Sequence, residues 1–374
     1  LLSEGIDFEG EPPGMGAKFK EEYRALFDAR LVGCKDLNLP PELILPGGIV
    51  AKTIYRESSP YIVVSSKDGF EIRLKHDERT ISAVEFPMRP KFYSYYTSVG
   101  TPMKQVGQIL GTNCLGIIIN SYCSRYANGK NCKFCNIGST TQKRGDSIRG
   151  LDEIMETAKM AHEERAFSLI NLTGGTFTDP ELEFSTYLRI GNALRKSLER
   201  ERLPGVSSIN PPSKEIFLKY KDDLVEANFD VLTYNLEVWD KELLKKVCPG
   251  KHNLGGRDFY IGAAERTIDV LGKGHVGIIF TIGPWENVDN IIVGSEHLAK
   301  RGILPIPVVF HPGRGAEYSW MGTTSVQDLL KLYKELQKIY QQNELITPNK
   351  SRPAGSELSF RNSLINESYL GYLN

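Results

Sequence analysis

Cys123, Cys132 and Cys135 follow one another as Cys-x8-Cys-x2-Cys. Two thiols separated by two residues can grip one metal centre. A third, reached across a short loop, makes a three-point mount that leaves a coordination position open. Such a donor set suits an iron–sulfur cluster with one iron free to take a ligand. A structural zinc ion would need a fourth ligand, and the local candidate is Cys114, inside the apolar stretch that leads to the loop. A disulfide within the trio is the remaining option. The chain holds six cysteines in all, and Cys34 and Cys248 stand isolated, so no second cluster motif of recognisable spacing exists.

Further residues able to do chemistry lie downstream: Gly174-Gly175-Thr176, Ser207-Ser208-Ile209-Asn210, Asn235-Leu236-Glu237, Gly255-Gly256-Arg257-Asp258 and Gly283-Pro284-Trp285-Glu286. An acid within an otherwise apolar strand is costly to bury unless a partner or ligand satisfies it, so Glu237 must have one or the other. Cys248, before Pro249-Gly250, reads equally as a small buried residue at a helix end or as a working thiol: a hydrogen-atom donor, a substrate tether or a sulfur acceptor.

The elements that must position these residues show in the patterning. Up to about residue 104 the chain combines a helix-like segment near 17–31 with alternating apolar stretches such as 49–55 and 70–74, which predicts a small N-terminal α+β region with antiparallel strands. From 105 to 315 short apolar strands alternate with long helical stretches, the signature of repeated βα units. Six strands are expected, at 115–120, 168–173, 205–209, 231–237, 275–282 and 304–310. Helices are expected near 149–166, 181–201, 213–227, 256–273, 287–301 and 324–342. Six units fall short of a closed eightfold barrel, so the expectation is an α/β fold with an open, partial (β/α)6 barrel of TIM type. Residues 316–374 supply a C-terminal helix and a polar tail packed on it. The cysteine loop and the runs at 174–176, 207–210, 235–237 and 283–286 then sit at the carboxyl ends of the first five strands, where βα barrels collect their working residues, while Cys248 and Arg257 follow the fourth strand. The tyrosine-rich approach Phe92-Tyr-Ser-Tyr-Tyr96 could wall a pocket or fasten the small region to the barrel.

Over about residues 105–315 the chain resembles radical S-adenosylmethionine (SAM) enzymes, on Cys123, Cys132, Phe134, Cys135, Gly174, Gly175 and the strand order. The layout is closest to biotin-synthase-like members. The resemblance implies a [4Fe–4S] cluster on the three cysteines, whose open iron takes the amino and carboxylate groups of SAM. Reduction then splits the sulfonium, and the 5′-deoxyadenosyl radical takes a hydrogen atom from a substrate. By the same resemblance Phe134 lies against the adenine, Gly174, Gly175 and Thr176 hold the methionyl part, and Arg257 pairs with the SAM carboxylate. Ser207, Asn235 and Glu237 face the ribose or the substrate. Most members space the first two cysteines by three residues. Here the gap is eight, and it contains the turn-forming run Tyr126-Ala-Asn-Gly-Lys130. Thr176 stands where many members carry Glu. Phe134 could instead be a core aromatic, the glycine pair a plain strand-to-helix turn and Arg257 half of a surface ion pair.

Basic and acidic residues balance at 46 each, which argues against nucleic acid and charged membrane surfaces as partners. No apolar run is long enough to span a bilayer, so a cytoplasmic enzyme is expected. A small-molecule substrate and an electron donor such as flavodoxin or ferredoxin are the partners the resemblance implies. Two rivals remain at this point: a zinc-stabilised (β/α) protein without redox chemistry, and a cluster-dependent SAM transferase moving a methyl or aminocarboxypropyl group.

Overall fold

The computed structural model describes residues 4–10, 39–140, 146–313 and 315–345. The helix expected at 17–31, Cys34 and the tail beyond 345 lie outside these residues.

Thirteen strands are described, in three sheets. In the N-terminal region β1 (Asp7–Phe8), β4 (Tyr61–Ser66), β5 (Gly69–Leu74) and β6 (Thr80–Val84) form one sheet in that order, and β2 (Glu42–Leu45) pairs with β3 (Ile49–Lys52) in a separate ribbon. The pairings are antiparallel, as the alternating pattern predicts, except that β1 runs parallel to β4. These strands bury their own small core around Phe8, Leu43, Val63 and Ile72.

The large sheet holds β7 (Gly107–Leu110), β8 (Cys114–Ile118), β9 (Leu169–Thr173), β10 (Leu203–Ile209), β11 (Phe229–Glu237), β12 (Val276–Ile282) and β13 (Leu304–Val309), in sequential spatial order. From β8 to β13 every pairing is parallel, so the six expected strands form an open partial barrel. The seventh strand, β7, pairs antiparallel with β8 through the turn at Gly111, whose φ is +60°. Parallel strands covered on both faces read as continuous apolar runs, which is why they show in the sequence.

Helices α1 (Leu151–Glu163), α2 (Pro180–Ser197), α3 (Lys214–Lys219) and α4 (Lys221–Ala227) follow β8, β9 and β10. Next come α5 (Lys241–Val247), α6 (Pro249–Asn253), α7 (Gly256–Leu271), α8 (Val288–Ala299) and α9 (Val326–Gln342). Their starts are set by side chains that take up the orphan amides of the first turn. Asp179 accepts from Glu181 and Leu182 with Pro180 in the first helical position, and Asp240 caps α5 in the same way. Helix α9 packs beside α8 and adds Leu332, Leu336 and Ile339 to the barrel core. Phe92 and Tyr93 belong to that core too, and the Tyr93 hydroxyl accepts from the Ile109 amide at 2.8 Å, so the aromatic approach fastens the polypeptide onto the barrel. No helix of the described residues is long and apolar enough to cross a membrane.

Candidate active site at the barrel mouth

The loop after β8 carries all three cysteines of the motif, each partly exposed. It is tied to the end of β9 by the Ile119 amide on the Thr173 carbonyl at 2.8 Å, the Gly175 amide on the Asn120 carbonyl at 2.8 Å and the Ser124 amide on the Thr176 carbonyl at 2.9 Å. A Cβ at Gly175 would lie 2.0 Å from the Tyr122 carbonyl oxygen and 2.9 Å from the Cys123 Cβ, closer than side chains ever approach. The glycine pair therefore lets the second strand end lie directly against the chain that delivers the first cysteine. The eight-residue gap forms a helical turn, Ser124–Ala127, and reverses at Gly129, where φ is +62°. The Lys130 amide donates back to the Arg125 carbonyl at 2.9 Å, so the extra length bulges outward between fixed ends. The far side of the loop leans on the start of α6: Gly250 donates to the Lys130 carbonyl at 3.0 Å and Lys133 to the Val247 carbonyl at 2.9 Å.

The thiols are unequal. The Cys248 thiol donates to the Cys132 sulfur, which with Lys251 nearby brings Cys132 down to about 7 against the opposing effect of burial. Burial pushes Cys135 up to about 12, and the neighbouring Cys132 and Cys123 add to the rise. Cys135 therefore senses both of the other sulfurs. Cys114 cannot join them, because it begins β8 at the opposite end of the strand, roughly 13 Å away at about 3.3 Å per residue. Among the described residues no group of three or more His, Cys, Asp or Glu is arranged to hold a single metal ion. An iron–sulfur cluster asks for something different, since each thiolate takes its own iron.

Strand register decides which side chains face the barrel interior. Tyr234 shares a hydrogen bond with Thr267 of α7 at 2.8 Å and so faces the helices; Thr233 and Asn235 face inward. Ser208 pairs with Thr233, and their hydroxyls meet at 2.8 Å. The inward hydroxyl of β10 is thus Ser208, and the expected Ser207 lies on the helix side, correcting the sequence-based reading by one position. Asn171 on the adjacent β9 pairs with Val206, which shares a face with Ser208, and is inward as well. The Asn171 and Asn235 amide oxygens are buried without a partner, as a polar ligand in the mouth would require.

Glu237 ends β11 at a register shift and with φ of +78°, a left-handed conformation costly for a side chain other than glycine. Its required partner is Lys251, whose ammonium donates to Glu237 Oε1 at 2.7 Å and to the Asn235 carbonyl, while Thr281 donates to Oε2. Both charged residues are 7% exposed. Sequence reasoning missed Lys251. Its signal was the strand acid itself, which called for a cation from an adjacent loop.

Arg257 is not aimed at the mouth. Its guanidinium lies 4.3 Å from the centre of the Trp239 ring, a cation–π arrangement, with Asp258 at 3.7 Å. A second buried cation lies on the cysteine loop itself: Arg125 donates to Asn210 Oδ1 at 2.7 Å. Asn210 in turn donates to the Thr176 hydroxyl at 3.0 Å and to buried Glu183 at 2.8 Å, so Thr176 is held from the third strand end. Phe134 stacks on Trp285 at 5.5 Å with planes 11° apart, and the aromatic run continues through Tyr318 to Trp320, which is 76% exposed. Cys248 is fully buried between α5 and α6, the helix-end position expected, although Pro249 there starts a new helix.

Glu286, closing Gly283-x-x-Glu286, accepts the Trp239 and Asp240 amides at 3.1 and 2.7 Å and so ties the fifth strand end to the fourth. Burial pushes its carboxyl up from 4.5 to about 7. Because the folded value lies above the unfolded one, its stabilisation is complete at acidic pH and lost as pH rises toward about 7. The melting-temperature advantage of the native chain over Glu286→Gln is therefore expected to shrink between about pH 5 and about pH 8. A difference that stays constant over that range would reject the assignment.

The carboxyl mouth of the open parallel barrel thus gathers the three cysteines, the paired glycines and buried polar groups. Residues 118–291 match the radical SAM superfamily model, so this stretch of the chain is a radical SAM domain. A bacteriochlorophyllide c C-7(1)-hydroxylase of Chlorobaculum limnaeum is 20% identical over 259 residues, which cover 65% of this chain and 63% of the relative. The chain thus spans less than two thirds of that protein. Among solved structures, methylornithine synthase (PylB) is similar with a TM-score of 0.45 and 19% identity over 62% of this chain and 63% of the other. A radical SAM methyltransferase from Sphaerobacter thermophilus gives 0.46 and 16% over 81% and 76%. SuiB of Streptococcus suis, bound to S-adenosylmethionine, gives 0.45 and 14% over 62% and 48%.

Proposed function

We propose that this chain mounts a [4Fe–4S] cluster on Cys123, Cys132 and Cys135 and uses it to cleave SAM reductively, generating a 5′-deoxyadenosyl radical that abstracts hydrogen from a small or medium organic substrate. The observation that carries the reading is the trio itself: three thiols on one loop at the mouth of a radical SAM domain. When bound, the cluster supplies an open iron for the amino and carboxylate groups of SAM and the electron that breaks its sulfonium bond.

The chain's own residues bind and orient. Gly174 and Gly175 bring the second strand end against the cysteine loop, and Thr176, steadied by Asn210, presents a hydroxyl to the methionyl part. The inward Ser208, Asn235 and Asn171 offer polar contacts for ribose or substrate, and Lys251 fixes Glu237 and the bulge that aims Asn235. The aromatic run from Phe134 to Trp320 offers a wall for a substrate with a flat unsaturated face. The hydroxylase relative is named for bacteriochlorophyllide c. We take the reductant to be a flavodoxin- or ferredoxin-type protein and the setting to be cytoplasmic, in keeping with balanced charge.

Anaerobic reconstitution with iron and sulfide should give a brown protein holding about four irons per chain. Reduced in the presence of SAM, it should release 5′-deoxyadenosine. A colourless protein saturated by one zinc ion would overturn the reading, and 5′-methylthioadenosine as the product would favour aminocarboxypropyl transfer instead.

A further inference from the structure

Arg125 lies two residues after Cys123, inside the enlarged gap, and is 9% exposed. A guanidinium keeps its proton at any pH the protein meets, so burial cannot be relieved by neutralisation. Buried charge that is neither paired nor fully hydrogen-bonded is heavily penalised. One nitrogen, Nη2, donates to the neutral amide oxygen of Asn210, and Nη1 is buried without an acceptor. Among the described residues no carboxylate comes within ion-pair distance. Glu183 is the next carboxylate outward and engages Asn210 and the Phe177 amide. The other buried cation of the site, Lys251, is already matched by Glu237.

The side chain has no room to swing away. A Cβ at Gly250 would lie 2.7 Å from Arg125 Cδ and 2.6 Å from the Lys130 carbonyl, so the arginine stem is threaded between the cysteine loop and the start of α6. The groups that face its charge are the Tyr260 ring oxygen and the sulfurs of Cys132 and Cys123.

We propose that Arg125 is the counter-cation of the cluster mount, balanced by the thiolates of Cys123 and Cys132 once they carry iron, and that it raises the potential at which the cluster accepts an electron. This rests on the cluster reading above. Reduction adds one negative charge, drawn from the protein reductant already proposed, and a fixed cation on the same loop favours the more negative state. Arg125 is thus a tuning residue for the reduction step that precedes SAM cleavage.

The test is a redox titration of the reconstituted protein followed by electron paramagnetic resonance, with and without SAM, on the native chain, Arg125→Gln and Arg125→Lys. Arg125→Gln should load the same iron while its reduction constant falls about tenfold, equivalent to about 59 mV for a one-electron couple. Arg125→Lys, which keeps the charge, should remain near the native value. An unchanged potential in a loaded Arg125→Gln, or a shift seen only with SAM present, would overturn the proposal. Should Arg125→Gln fail to take up iron, Arg125→Lys decides alone: a near-native potential upholds the proposal and a tenfold loss overturns it. A native chain that binds no cluster would sink the functional reading itself, whereas a loaded native chain beside an unmoved Arg125→Gln sinks only this assignment.

Discussion

Alanine at Cys123, Cys132 or Cys135 is expected to reduce iron loading and SAM cleavage to background, each substitution alone being sufficient. A cluster held at three corners has no spare protein ligand, so the loss is not graded. The surrounding geometry sharpens the expectation. Cys123 sits where Gly175 lets two strand ends touch, and Cys132 and Cys135 are set by the bonds that Lys133 and Gly250 make across the loop. The controls are equally definite. Cys114→Ala should retain full iron, because that thiol opens β8 at the far end from the loop. Cys248→Ala should also retain it, since Cys248 donates a hydrogen bond to Cys132 in place of joining the mount. Iron counts, visible absorption and 5′-deoxyadenosine release check all five variants. Loss of iron in Cys248→Ala would indicate a site closed by four thiols, and the open iron on which SAM binding depends would disappear with it.

What the sequence discloses about this site follows the physics of each element. Parallel strands sandwiched between helices are apolar along their length and end in turn residues. Both the six strands and the polar runs at their mouths were therefore legible. Strand β7 was not, being four residues long with glycine at its start, although the Gly111-Thr-Asn113 turn before the apolar run of β8 is a hairpin signal. The choice between Ser207 and Ser208 turns on a single residue of register. Two adjacent serines look alike in sequence, while a one-residue slip exchanges the two faces of a strand. Arg257 was misjudged for another reason: residue type and position after the fourth strand say nothing of the Trp239 ring that captures the guanidinium. Arg125 and Lys251 were hidden because long cationic side chains belong mostly to surfaces. Only the three-dimensional closure of α6 over the cysteine loop buries them.

That closure gives the second large effect. Lys251→Met is expected to destabilise the fold by about 3–5 kcal/mol, the usual consequence of removing one partner from a buried ion pair. Glu237 would keep Thr281 but lose the ammonium on Oε1, inside a mouth where it is 7% exposed. The left-handed backbone at Glu237 and the register shift beside it make matters worse, because the same ammonium also holds the Asn235 carbonyl. Glu237→Gln alone should be harmful for the mirror-image reason, leaving Lys251 as the unmatched charge. The double variant Lys251→Met with Glu237→Gln removes both charges, so it should be more stable than either single variant. Urea-unfolding midpoints of the four proteins, taken under one set of conditions, measure the coupling. If the two losses simply add, the pair is not an interacting unit, and the bulge at the end of β11 must be held by its strand neighbours alone.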